Sequence, residues 1–264
     1  MPSYVITGVS SGLGFEILRQ VSADRNNTVI GLVRNKPATD KKVAEELGSR
    51  SNVHILGIAD LTAHEDLKRA AAETASITGG ALDYLIANAA YVTTFDTFDS
   101  LNTLAETPKE LHEDFTRCMD VNVVGNIYLF NAFVPLILKG KVKKVVVISS
   151  GMADIELIRD YDIASGAIYA CSKAAMNVVT AKYSAHISPG SVDVGKINLE
   201  KLTERQIAGF GELVGKFQQY QPNFQGPVPT EVAIKDVIRT WESASIEKGD
   251  GGAFVSHLGN KQWL

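Results

Sequence analysis

Thr7-Gly8-Val9-Ser10-Ser11-Gly12-Leu13-Gly14 follows directly on the apolar run Tyr4-Val5-Ile6 and leads into a stretch where Ile17, Leu18 and Val21 fall on one helical face. The order is strand, glycine-rich turn, helix. Such a turn lets the backbone come close to a pyrophosphate, and the free N–H groups and positive end of the helix dipole favour its charge. Gly8, Ser10, Ser11, Gly12, Leu13 and Gly14 are therefore candidate cofactor-binding residues. A glycine-rich turn alone also serves as a merely tight turn; its place after the first strand is what points to a nucleotide.

Short β-branched runs at Tyr4 to Thr7, Thr28 to Val33, Val53 to Ile58, Leu82 to Ala87, Val145 to Ser149 and Ala253 to His257 read as buried strands. Helical patterns separate the first five. Two of them open on capping-box spacings, Thr62 with Glu65 and Thr107 with Glu110, the latter with Pro108 at the first helical position. Gly48 and Gly79-Gly80 supply stops. Strict alternation of strand and helix predicts right-handed crossovers and a doubly wound parallel α/β sheet. Residues 1–264 read as one domain. The stretch from about 200 to 229 breaks the alternation and reads as a lid-like excursion, in which Phe210, Phe217, Tyr220 and Phe224 form either a core stripe or an apolar cover.

The 264 residues carry a net charge of −4 and a pI near 5.8, with 45% hydrophobic and 21% charged residues. A packed core is expected, and a nucleic-acid partner is not, since that needs clustered Lys and Arg. The basic run from Lys139 to Lys144 reads as a solvated turn before a strand. Cys118 and Cys171 are far apart and read as free thiols, and the five histidines show no ligand spacing, so no metal is expected. With neither a signal peptide nor a membrane span visible, a cytoplasmic protein without a membrane partner is the expectation.

At the end of the second strand, where an acid would bind the ribose 2′-hydroxyl of NAD, the chain reads Leu32-Val33-Arg34-Asn35-Lys36. Arg34, helped by Lys36, suits the 2′-phosphate of NADP, because a guanidinium makes bidentate charge-assisted bonds. The competing reading is a solvated turn. Asp60, after the third strand, is placed either to cap the next turn or to touch the adenine.

Tyr169-Ala-Cys-Ser-Lys173 lies in a helical pattern from Ile168 to Lys182, which sets Tyr169 and Lys173 on one face a turn apart. A cation about 4 to 5 Å from a phenol contributes roughly 3 to 4 kcal/mol at an effective dielectric near 20, enough to make the phenol usable for proton transfer near neutral pH. By itself the pair also reads as an ordinary exposed helical pair. The company it keeps is more specific. The TGVSSGLG turn, Asn88-Ala89-Ala90, Asn122, Ser149-Ser150 and YACSK, in that order from Tyr4 to about Lys182, resemble the compact branch of the short-chain dehydrogenase/reductase family.

The resemblance implies a Rossmann-like fold and hydride chemistry. Tyr169 would give a proton to the carbonyl oxygen, Lys173 would also hold the nicotinamide ribose, Ser150 would orient the substrate, and Asn122 would anchor a water relay. Ser149 is the alternative to Ser150, and Asn88 is expected to fix backbone between strands. The run Ile148-Ser-Ser-Gly-Met-Ala-Asp154 further resembles reductases of fungal secondary metabolism. The family's helices pair across two-fold axes, so a homodimer or homotetramer through Phe115 to Leu138 and Ile168 to Ala181 is implied.

Departures from the pattern matter as well. Ser150 and Tyr169 stand further apart than the family's spacing, which places extra residues within Met152 to Ile168 near the substrate. Lys173 and Pro189 stand closer together. The sixth strand is expected to be shortened or missing, with the Tyr169 helix ending near Ala181 and any strand at Ala185 to Ser188 very short; a chain lacking some residues there would read the same way. Val194 occupies the position where the family's Pro-Gly loop carries a Thr against the nicotinamide. The expected function is hydride transfer between NADP(H) and the carbonyl or secondary alcohol of a fairly large apolar small molecule. The alternatives are an NADP(H)-binding regulator and a non-redox enzyme using the same site.

Overall fold

The computed structural model describes residues 1–48, 50–184, 190–192, 204–224, 226, 228–245 and 248–263. Seven parallel strands lie in the order β3-β2-β1-β4-β5-β6-β7: β1 Ser3–Thr7, β2 Thr28–Val33, β3 Val53–Gly57, β4 Tyr84–Ala87, β5 Lys144–Ile148, β6 Gly190–Val192 and β7 Ala253–Phe254. The helices are α1 Gly12–Val21, α2 Lys36–Leu47, α3 His64–Thr78, α4 Pro108–Met119, α5 Gly125–Ile137, α6 Ile155–Asp160, α7 Ala167–Ser184, α8 Glu204–Tyr220 and α9 Thr230–Ser243.

Side chains alternate across each strand, and both faces are apolar. Val5, Leu32, Leu85 and Val147 pack with Leu67 of α3, with Leu129, Phe130 and Phe133 of α5 and with Met176 of α7. Tyr4, Ile6, Val29, Ile86 and Val146 pack with Phe15, Ile17 and Leu18 of α1 and with Ile234, Val237 and Trp241 of α9. Burial of each such side chain stabilises the fold by roughly 1.5–3 kcal/mol before entropy is counted. This two-faced core is the doubly wound arrangement that the alternation predicts. The helical run Pro108–Ile137 is long and apolar enough, by length and composition, to cross a membrane, and 44% of its apolar window is buried inside the fold.

Below the sheet, Asp83 ties three strands at their N-terminal ends. Its carboxylate accepts from Ser3 N and Oγ at 3.0 and 3.2 Å, Lys141 N at 2.8 Å and Val142 N at 3.1 Å. Burial alone would raise its pKa, but the donors from Val142, Lys141 and Ser3 outweigh that and hold it below the ordinary carboxylate range.

Several details differ from the sequence expectation. Neither capping box forms. Asp60 Oδ1 takes the Thr62 amide and hydroxyl at 3.1 Å each, so α3 starts at His64. Thr107 directs its hydroxyl to the Leu104 carbonyl instead of capping α4. The sixth strand is short, as expected, yet the reason is different. Helix α7 does not end near Ala181 but runs to Ser184, because Tyr183 anchors its last turn: the phenol donates to Asn131 Oδ1 at 2.7 Å and the ring packs edge-on to Phe130. The strand lies beyond the proline, at Gly190–Val192, so Gly190 opens it rather than following it. It pairs with β5 (Val147 with Ser191, Ile148 with Val192) and with β7 (Gly190 with Ala253, Ser191 with Phe254). The last strand therefore spans two residues, not the five expected. Ala185 to Ser188, Pro189 and Val194 lie outside the described residues.

Candidate active site

Between β1 and β4 the chain order reverses direction across the sheet, and ligands of open α/β folds bind outside the strand C-termini at such a point. A cleft of about 1210 Å³ opens there, lined by Gly8, Ser10 to Leu13, Arg34, Asp60, Asn88 to Val92, Ile148, Tyr169 and Lys173. The first turn and the Tyr169 helix thus meet in one space.

The turn is built for close approach of a ligand to backbone. Gly12 sits at φ +57, and a Cβ on Gly14 would lie 2.3 Å from the Gly8 carbonyl oxygen. Asn88 stitches this turn to β4: its Nδ2 donates to Thr7 O at 2.9 Å and its amide to Thr7 Oγ1 at 3.0 Å. That is the backbone-fixing role expected of it. Helix α1 begins at Gly12, and Ser11 gives it no side-chain cap. Gly12 and Leu13 of its first turn line the cleft, and the uncapped N–H groups of a helix start suit an anionic pyrophosphate.

At the far end of β2, Arg34 is exposed and lines the cleft, and no ion pair or hydrogen bond engages it among the described residues. Lys36, expected to help it, pairs with Asp40 at 2.6 Å across one helical turn and does not line the cleft. Lys42 lies closer to the turn, with Nζ 3.3 Å from the Ser10 carbonyl and 4.2 Å from the Phe15 ring centroid. Asp60 caps the Thr62 turn, and it also lines the cleft.

On α7, Lys173 is buried and donates to the Ile148 carbonyl at 2.7 Å, tying the helix to the end of β5 two residues before Ser150. Its Nζ lies 5.5 Å from the Tyr169 ring centroid. Ser149 is committed elsewhere, donating to Asn177 Oδ1 at 2.7 Å. Ser150 Oγ accepts from Met152 N at 3.2 Å and caps the turn Gly151–Ala153.

Asn122 sits in a π-helical stretch, Asp120–Val124, that joins α4 to α5. Such local widenings cluster at functional sites. The side chain is 1% exposed; Oδ1 accepts from Tyr91 N at 2.7 Å, and Nδ2 donates to Tyr91 O at 2.9 Å and Ser172 Oγ at 3.0 Å. Asn122 therefore joins the β4 loop to α7 one residue before Lys173. Tyr91 is the second tyrosine lining the cleft among the described residues. Its phenol donates to Asp114 Oδ1 at 2.6 Å, which pushes its pKa up to about 12. It is a poor proton donor at neutral pH.

Asp96 escaped the sequence reading. Fully buried in the loop after β4, it accepts from Ile168 N at 2.7 Å in the first turn of α7. Burial pushes its carboxyl above the ordinary range, and Oδ1 has no hydrogen-bond partner among the described residues. No motif marks it, because its partner lies across the loop and only the fold joins them.

The family model for short chain dehydrogenases matches residues 3–202. The short chain dehydrogenase virK of Hypocrea virens is 52% identical, covering all of both chains. That alignment runs over 274 positions against 264 residues here, so the relative carries residues without a counterpart in this chain. The short-chain dehydrogenase/reductase iacC of Pestalotiopsis fici is 48% identical, again over all of both chains. Among solved structures, carbonyl reductase Sniffer of D. melanogaster superposes with a TM-score of 0.75 at 20% identity, covering 98% of each chain. An NADPH-bound carbonyl reductase from chicken fatty liver gives 0.70 at 20% identity, also over 98% of each. With its family model spanning the turn, the Asn122 junction and the Tyr169 helix alike, this chain belongs to the short chain dehydrogenase family of oxidoreductases.

Proposed function

We propose that the protein is an NADPH-dependent reductase that interconverts a carbonyl and a secondary alcohol on a fairly large apolar small molecule. One observation carries this reading: a single cleft holds the α1 N-terminus and Arg34 at one end and Tyr169 and Lys173 at the other. The α1 amides would take the pyrophosphate and Arg34 the 2′-phosphate. A largely apolar pocket of about 520 Å³, walled by Met152, Ile155, Ile158, Ile163 and Ala170, supports an apolar substrate.

When bound, the reduced nicotinamide supplies the hydride. Tyr169 gives its proton to the substrate oxygen as the carbonyl carbon is reduced, and solvent restores it through a relay anchored at Asn122. Lys173, held by the Ile148 carbonyl, keeps its charge beside the phenol and favours the phenolate that the transfer leaves behind. Ser150 donates to the substrate oxygen and fixes its direction. Cys118 and Cys171, both free, suit the reducing cytoplasm we assign it. Exposed Phe115 and Val178 support self-association along α4, α5 and α7, which light scattering at micromolar concentration checks.

The deciding experiment follows NADPH absorbance over a panel of ketones and aldehydes. Turnover with any member supports the reductase. Tight NADPH binding with silence throughout favours a cofactor-binding regulator or a non-redox enzyme.

A further inference from the structure

The turn after Ser150 is held from an unexpected quarter. Ala153 N donates to Ser150 O and Asp154 N to Gly151 O, each at 2.9 Å, so the segment from Ser150 to Asp154 is tied together internally. Asp154 is 4% exposed, and its carboxylate accepts four hydrogen bonds. Oδ1 takes Glu156 N at 2.9 Å and Leu157 N at 3.3 Å; Oδ2 takes Lys261 Nζ at 3.0 Å and Trp263 Nε1 at 3.1 Å. Burial would push this carboxyl up, but Lys261 and the Leu157 and Glu156 amides hold it below the ordinary range.

Lys261 and Trp263 are themselves fixed. Trp263 stacks on Phe254 at 4.4 Å between centroids, its amide donates to Tyr220 Oη at 3.0 Å, and the Tyr220 hydroxyl donates to Lys261 O at 3.1 Å. Tyr220 in turn packs edge-on to Tyr161, just beyond α6. The indole also covers Gly151, where an added Cβ would lie 3.0 Å from Trp263 Cβ and 3.1 Å from its Cγ. Glycine at that position is what lets the tryptophan come this close.

We infer that the C-terminal tail is a latch in which Lys261 and Trp263, gripping Asp154 and covering Gly151, are positioning residues that set where the Ser150 hydroxyl lies. The stretch Met152 to Ile168, which includes the residues extra to the family's spacing, gives the tail something to hold. The catalytic role of Ser150 rests on the function proposed above; the latch itself does not. Because the Gly-rich turn and Arg34 lie at the other end of the cleft, loosening the tail acts on the substrate side alone.

The test uses the full chain with Lys261→Met, Trp263→Ala, Gly151→Ala and the pair Gly151→Ala with Trp263→Ala. Hydrogen exchange by mass spectrometry reads the amides of Met152, Glu156 and Leu157, which the turn and Asp154 hold. Either tail variant is expected to speed their exchange by about tenfold, as loss of a charge-assisted bond allows, while Gly12 to Gly14 and the NADPH dissociation constant stay unchanged. Lys261→Arg restores protection. With 9,10-phenanthrenequinone as a bulky probe and hexanal as a slender one, the tail variants raise KM for the quinone by about tenfold and leave that for hexanal within a few fold. Gly151→Ala alone mimics the tail variants, and adding it to Trp263→Ala costs little more. Unchanged exchange at Met152, Glu156 and Leu157, or equal acceleration across the whole chain, overturns the latch. Should the wild type reduce neither probe, exchange still decides the latch, and it is the reductase reading that loses support.

Discussion

The two ends of the cleft are built differently. At the cofactor end, β1 to β5 pair in register over three to five residues each, and the glycine-rich turn is held close by the segment that follows β4: Thr7, Gly8 and Gly14 against Asn88 and Ala89. At the substrate end, β6 has three residues and β7 two, and the Ser150 turn is held instead by Lys261 and Trp263 from the far end of the chain. One end is fixed by the sheet; the other depends on contacts that close only after the whole chain has folded. Substitutions at the first end should therefore act through chemistry or cofactor choice, and those at the second through position.

The largest effect tests the chemistry where the ends meet. Tyr169→Phe should lower turnover by about 10² or more while NADPH affinity stays within a few fold, since only the proton transfer is lost. Tyr91→Phe, in the same cleft, should leave turnover within a few fold, because its phenol is already committed to Asp114. Steady-state kinetics with an NADPH titration separates the two. Equal losses would mean that the cleft does not distinguish its tyrosines as the geometry says.

Next in size is cofactor choice. Arg34→Asp removes the guanidinium facing the cleft and adds a like charge toward a phosphate, so the ratio of kcat/KM for NADPH to that for NADH should fall by roughly tens of fold. An unchanged ratio would leave Arg34 a solvated turn residue and point to Lys42, beside Ser10, as the cation to vary.

These first two effects fall on residues that the sequence itself displays, and the reason is physical. A turn that needs φ +57 at Gly12 and no Cβ at Gly14 leaves its mark as glycine, and a helical pair such as Tyr169 and Lys173 leaves its mark as spacing. The first five strands were legible to within two residues because most of their side chains are apolar and, in β1, β2, β4 and β5, buried on both faces. Long-range polar contacts leave no such trace. Asp96 meets Ile168, and Asp154 meets Lys261 and Trp263, with nothing local in either partner to announce it. The end of α7 was misjudged because the length argument could not see Tyr183 reaching Asn131. The capping boxes failed in the same way: Asp60 claimed Thr62, whereas Asn35, which does cap its helix through Ala38 N, lacks the box spacing.

Asp96→Ala should come third. It removes the acceptor from the first turn of α7, which carries Tyr169 and Lys173, and loss of such a terminal acceptor costs about 1–2 kcal/mol. Denaturant unfolding reads the stability. If the role is to seat α7, kcat falls with it and Asp96→Asn, which keeps one acceptor oxygen, recovers most of both. Full activity in Asp96→Ala would remove it from the site.

The smallest effect lies farthest from the cleft, at Asp83, and it appears only as acid is added. The four donors around this carboxylate hold its folded pKa below that of the unfolded chain, so below about pH 4 the unfolded state binds a proton that the native state does not. By linkage, the stability this group contributes is fully present above the unfolded pKa and is lost as pH falls through the folded value. In Asp83→Asn the charge is gone and an amide NH2 group faces backbone donors, so the variant should be less stable by about 1–2 kcal/mol at neutral pH. The deficit should shrink on acidification, because the wild type loses what the variant never had. Urea midpoints of the two proteins measured from pH 7 down to pH 3 check the sign. Converging midpoints place the N-terminal ends of β1, β4 and β5 under one ionised carboxylate; midpoints that stay parallel would show that Asp83 acts there by shape alone, and the cofactor half would owe its order to packing without this tie.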